Sequence, residues 1–183
     1  MADFLLAQHQ RAARKLLITV AEWEDPNGEI TVGTGTDTYK VSREILGRRT
    51  EDSSIEYNAD IETTTDILGI NYTDINKTQP QQDFDPYLIL GGSKLGVKLD
   101  DIRRRNALTE LSQFTLYVIT AYVGTEDAWA AERHVNCTVT YNSLGGDSNV
   151  NMPISAYLSN DSTIGTVNKL SDDFVFTPTL TGV

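Results

Sequence analysis

The groups able to do nucleophilic or acid–base chemistry in this chain are few and scattered. The histidines are His9 and His134, and the single cysteine is Cys137. A catalytic dyad needs nucleophile and base within hydrogen-bond reach. His134 and Cys137 stand beside the alternation Val135, Cys137, Val139, Tyr141, and on an extended strand their spacing puts them on opposite faces. The expectation is a small buried cysteine. Two histidines do not complete a His-rich metal site or a His-based triad. Asp83-Phe84-Asp85 and Asp100-Asp101 offer hard oxygen ligands, but no calcium-binding loop pattern surrounds them. Gly33-Thr34-Gly35 lacks the further glycine and the following helix of a dinucleotide site, and no Gly-Lys-Ser or Gly-Lys-Thr is present for a phosphate loop. Carboxylate pairs suited to glycoside hydrolysis occur in any acidic chain, and at 8% aromatic residues the side chains that grip sugars are sparse. The chain reads as a non-enzyme with no cofactor.

What is ordered in this sequence is charge. Over residues 54–66, Ile55, Tyr57, Ala59 and Ile61 alternate with Glu56, Asn58, Asp60, Glu62, Thr64 and Asp66. The period of two predicts a strand whose even face carries carboxylates and no cation. Two readings fit: a solvated outer face, or a surface that must not adhere to a polyanion. The net charge of −11 and pI near 4.5 oppose nucleic-acid binding through phosphate neutralisation, which needs clustered Lys and Arg. A repulsive wall past which a duplex slides is compatible with them.

The elements that would position these residues are mostly strands. With 39% apolar and 22% charged residues in 183, the chain suits one globular domain, and a lone cysteine fits a reducing compartment. Residues 1–14 form an N-terminal arm, 15–178 a single domain and 179–183 a tail. Residues 1–17 carry +2 against −13 for the rest, and read as a basic helix or an extended arm that orders on a neighbour. Its apolar run is too short for a signal or a membrane span. Strands are predicted over 15–23, 38–45, 54–66, 70–77 (the return arm of a long ribbon turning at Leu68-Gly69), 113–123, 135–141 and 150–158. Pro80 and Pro86 argue against a central strand over 79–85, and Pro153 points its strand toward an edge. Residues 47–53, with Arg48, Arg49, Glu51 and Asp52, should project into water or against another chain. A helix is predicted over 99–111, opened by Asp100 and Asp101, with Arg103, Arg104 and Arg105 as ion-pair partners for acidic neighbours. Both faces of 113–123 are apolar, so that strand must be covered on both sides, by a second sheet and by a helix or another subunit. The sum is a mainly β, α+β antiparallel sandwich or barrel with one flanking helix.

Residues 50–58, 60–69, 159–167 and 173–178 resemble the major tail protein of long-tailed bacteriophages and prophages, a likeness spanning roughly 15–178. The resemblance implies a tail tube subunit, a β-sandwich with a flanking helix that forms hexameric rings stacked into a hollow tube for DNA passage. It implies that Glu56, Asp60, Glu62, Asp66 and Asp74 line a negative lumen. It also implies that a loop and a terminal arm grip the next ring, with Arg48, Arg49, Glu51 and Asp52 as loop candidates and Phe4, Leu5, Arg11 and Arg14 as arm candidates. The implied partners are further copies of the chain, the tape measure, tail tip and terminator proteins, and DNA as transiting cargo. The implied location is the virion tail after synthesis in the host bacterial cytoplasm, with no membrane partner and no immunoglobulin-like decoration after Val183. Alternatives are a tube-like component of a contractile or secretion device, a capsid decoration protein, or a carbohydrate-binding sandwich.

Overall fold

A computed structural model describes residues 5–34, 36–48, 50 and 53–179. Its strands are β1 (Leu17–Glu24), β2 (Ile30–Thr34), β3 (Asp37–Ile45), β4 (Ile55–Glu56), β5 (Asp60–Thr65), β6 (Asn71–Lys77) and β7 (Gln81–Phe84). After α1 (Lys94–Arg105) come β8 (Phe114–Thr125), β9 (Ala128–Tyr141), β10 (Ile154–Tyr157), β11 (Ser162–Val167) and β12 (Phe176–Pro178). The described strand pairings are all antiparallel, which with one α-helix among the described residues gives the mainly β, α+β class expected from the sequence.

One long sheet runs β2-β3-β1-β8-β9-β10-β7-β4, and β11 joins β9 with β12 beyond it. β9 makes the turn between layers. Its first half pairs with β11 and its second with β10, and between them Asn136 takes a left-handed φ of 55° where the register against β8 shifts. An extra residue at such a bulge bends the strand. It also corrects the placement of His134 and Cys137 on opposite faces. His134 now faces Leu116 and Cys137 faces Phe114, so both lie on one side of β9, and both are buried. The sheet curls far enough that the buried Thr19 of β1 donates to Gln82 Oε1 of β7 at 2.7 Å.

β8 is buried on both faces, as its doubly apolar pattern requires. Phe114, Leu116 and Val118 join the larger core with Phe84, Ile154 and the α1 residues Leu95, Leu99 and Ile102. Tyr117 and Ile119 face a second, smaller core, closed by Val167 and Phe174. The second cover is thus the chain's own C-terminal segment. A charged staple holds it there. Arg43 Nε donates to Glu22 at 2.6 Å, Arg43 Nη1 donates to the Phe174 carbonyl at 2.6 Å, and the guanidinium lies 4.3 Å from the Phe174 ring centroid. Tyr117 packs edge-on against Phe174 at 4.9 Å. Burial, with the Glu22 charge nearby, pushes the Tyr117 phenol up to about 12.

Several boundaries differ from those read in the sequence. The helix begins at Lys94, capped by Ser93, whose Oγ accepts from Gly96 N at 3.0 Å. Asp100 and Asp101 therefore sit mid-helix, and the helix ends at Asn106, which is left-handed. A 3-10 turn over Leu108–Ser112 follows, which explains why the apolar spacing after Leu99 falls nearer three than 3.6. β7 is an inner strand between β10 and β4, because Pro80 and Pro86 flank it without entering it. β10 lies inside the sheet for the same reason, beginning one residue after Pro153. The predicted 54–66 strand is broken at residues 57–59, where Asn58 has φ 43°.

Glu44, on β3, fixes the helix to the sheet. Its buried carboxylate accepts from Tyr87 Oη, Ser93 Oγ and Leu95 N, each at 2.9 Å. The negative charge sits at the helix N-terminus, where the dipole favours it. Burial and this neighbouring charge push the Tyr87 phenol well above its ordinary value. Glu44→Ala leaves these donors unmatched and is expected to cost about 2 kcal/mol or more. Urea unfolding checks this, with Glu44→Gln as the milder control.

Candidate functional surface

The acidic ribbon exists as a hairpin and stands apart from both cores. β5 and β6 form their own two-stranded sheet, and every residue in both strands is exposed. Register divides it into two faces. Ile61 opposes Ile75 and Thr63 opposes Thr73 on one side, while Glu62 opposes Asp74 and Thr64 opposes Tyr72 on the other. Like charges directly across a pair repel at roughly 0.2–1 kcal/mol, and Asn76 Nδ2 partly offsets this by donating to Glu62 at 3.3 Å. Thr65 Oγ1 donating to Asn71 Oδ1 at 2.6 Å ties the far end.

The predicted carboxylate row is therefore divided. Glu62 and Asp74 share the acidic face, whereas Asp60 lies at a register shift and pairs with Lys77, so a cation does stand in the row. Glu56 is not on the hairpin at all: it belongs to β4 and pairs with Gln81 in the main sheet. Asp66 makes the turn. Its Oδ1 accepts from Ile70 N at 2.9 Å and Leu68 N at 2.8 Å, and these bonds hold the carboxyl below its ordinary value. The turn leaves Ile67 fully exposed and Leu68 77% exposed at the tip.

The stacking candidates are placed in part. Arg48 is exposed, but the loop around it is tethered, with Thr50 Oγ1 donating to the Pro86 carbonyl at 2.9 Å and buried Ser53 donating to the Asp83 carbonyl at 2.6 Å. Arg49, Glu51, Asp52 and Phe4 lie outside the described residues. Among the described residues the N-terminal arm holds no α-helix: a 3-10 turn spans Arg14–Leu16, and the stretch before it has no helical residue from 5 to 13. Leu5 N donates to the Tyr122 carbonyl at 2.9 Å, and Arg11 is exposed. Arg14 is bound to its own chain, donating to the carbonyls of Ser53 and, at 2.7 Å, of Leu17.

A second surface feature had no counterpart in the sequence reading. Between α1 and the loops near residues 89 and 144–152 runs a groove of about 570 Å³, lined by Ile89, Val97, Leu144, Val150 and buried Met152 together with the charged pairs Asp100, Asp101, Arg103 and Arg104. Its apolar residues are far apart in sequence, so no local period announces them. The arginine triplet is ion-paired as expected. Arg103 and Arg104 contact Asp100 at 2.7 and 2.6 Å, and Arg105 bridges Asp101 and Glu110 at 2.6 and 2.8 Å. Arg105 and Lys98 hold Glu110 down, to about 2. A carboxylate depressed in the folded state contributes stability above its unfolded value and loses it as pH falls through the folded one. Glu110→Gln is thus expected to flatten the loss of melting temperature between pH 5 and pH 2 relative to the parent chain, measured by circular dichroism.

Among the described residues no cluster of His, Cys, Asp and Glu could hold a metal ion. Burial pushes the Cys137 thiol up, so at neutral pH it is protonated and a poor nucleophile. No described helix is long and apolar enough to cross a membrane. Comparison of the chain with family models, curated proteins and solved structures finds no significant match in any of the three.

Proposed function

We propose that this chain is a structural subunit that assembles with its own copies, and specifically a tail tube subunit of a long-tailed phage or prophage. The observation that carries the reading is the β5–β6 hairpin. Two-stranded hairpins are marginal in water unless a further layer covers them, yet this one exposes Ile61, Ile67, Leu68, Ile70, Tyr72 and Ile75 from a chain whose two cores are otherwise closed. Such an element is stabilised by docking against another chain. The acidic face of Glu62 and Asp74 suits a wall along which DNA passes without adhering. In this reading the subunit forms rings that stack into a hollow tube of the virion tail, is made in the bacterial cytoplasm, and meets the tape measure, tip and terminator proteins at the tube's ends.

Negative-stain electron microscopy of the purified protein at high concentration tests the reading. Hollow filaments or rings are the expected result. Uniform compact monomers, even with tail-tip extract added as nucleator, would overturn it in favour of a binding module.

A further inference from the structure

We infer that a cavity between the start of β1, the end of β3 and β7 binds a small carboxylic acid with a short apolar chain. It holds about 310 Å³, at the small end of the range for ligand pockets. Part of its wall is apolar, formed by Leu17, Ile18 and Phe84. None of the described lining residues is a carboxylate, although the chain as a whole carries −11.

Deep in the cavity stands Gln82, 1% exposed. Thr19 Oγ1 donates to Gln82 Oε1 at 2.7 Å, which fixes the amide and turns its nitrogen away from Thr19. That nitrogen carries two N–H donors, and no described residue accepts from either. It is not sealed in, because the described side-chain polar atoms that are both closed to water and unpartnered are Arg133 Nε and His134 Nε2. A buried amide with idle donors calls for an acceptor.

Two cations stand at the mouth. Arg14 and Lys15 line the same cavity and are exposed. Arg14 spends its donors on the neutral carbonyls of Ser53 and Leu17, so its guanidinium is held in place with no described carboxylate opposite its charge. Lys15 has neither a hydrogen bond nor an ion pair among the described residues. Water would satisfy the amide but not the apolar wall, and an inorganic anion has no apolar part to set against it. A carboxylate that accepts from Gln82 and Lys15, with its chain against Leu17 and Phe84, satisfies both.

The test titrates the full-length protein with sodium butyrate at neutral pH and follows binding by ligand-observed saturation-transfer NMR, with butyramide as the neutral control. Saturable binding with a dissociation constant of roughly 1 mM is expected for a ligand of about six non-hydrogen atoms. Lys15→Met, at an exposed position, should weaken it roughly tenfold through the loss of one charge-assisted hydrogen bond. Gln82→Glu should abolish it, since Oε1 still accepts from Thr19 while the new carboxylate takes the ligand's place. If Gln82→Glu loses its thermal transition, Lys15→Met decides alone. No saturation by about 50 mM butyrate, equal binding of butyramide, or unchanged affinity in Lys15→Met would overturn the site. The described lining includes no residue of the β5–β6 hairpin, so these outcomes leave the self-assembly reading untouched.

Discussion

Arg43→Met should destabilise the fold by about 3–5 kcal/mol, the loss typical of leaving one partner of a buried ion pair without its counterion. Arg43 and Glu22 are each only 4% exposed at the side chain, so water cannot replace the lost partner. The same change also frees the Phe174 carbonyl and removes the cation from the Phe174 ring face. A drop in urea midpoint with an unchanged slope is the expected readout. The double variant Glu22→Gln/Arg43→Met should be less damaging than the single one, because the buried charge goes with its partner. If the single variant costs under about 1 kcal/mol, the pair is solvated and the C-terminal segment is not held by it.

Excising the hairpin should do the opposite, sparing the fold and abolishing assembly. The chain enters at Tyr57 and leaves at Gln79, whose N–H donates to the Tyr57 carbonyl at 2.9 Å, so the two ends already lie side by side. A short Gly-Ser turn in place of residues 60–77 therefore closes a small loop at little entropic cost. Since no strand residue of the hairpin is buried, neither core loses a member. Melting temperature should stay within a few degrees, while light scattering should show monomers only. Loss of the cooperative melting transition would mean that the hairpin is part of the folding unit and not an appendage.

The hairpin was legible because alternation on both arms meets at Leu68-Gly69, and the register needs little beyond that turn. Its continuation back to Glu56 was not, since the break depends on Asn58 adopting φ 43°, a conformation that asparagine tolerates but alternation cannot reveal. The doubly apolar β8 was equally readable, whereas its second cover came from Phe174, more than fifty residues away. Ser93 carries the ordinary signal for a helix start, one that played no part in opening the predicted helix at Asp100 and Asp101, where negative charge also favours a first turn. In place of that role, those carboxylates serve the arginines one turn on. The groove was illegible for a simpler reason: Val97, Leu144 and Val150 meet only after the fold has closed.

Cys137 is the only cysteine and is 1% exposed. A second thiol engineered at an exposed site such as Leu68 would consequently be the sole group open to maleimide in the folded protein. Fluorescent dye could be placed on the hairpin tip without first removing a native thiol. The native one would react only when the core opens, so its labelling rate is a built-in chronometer of unfolding.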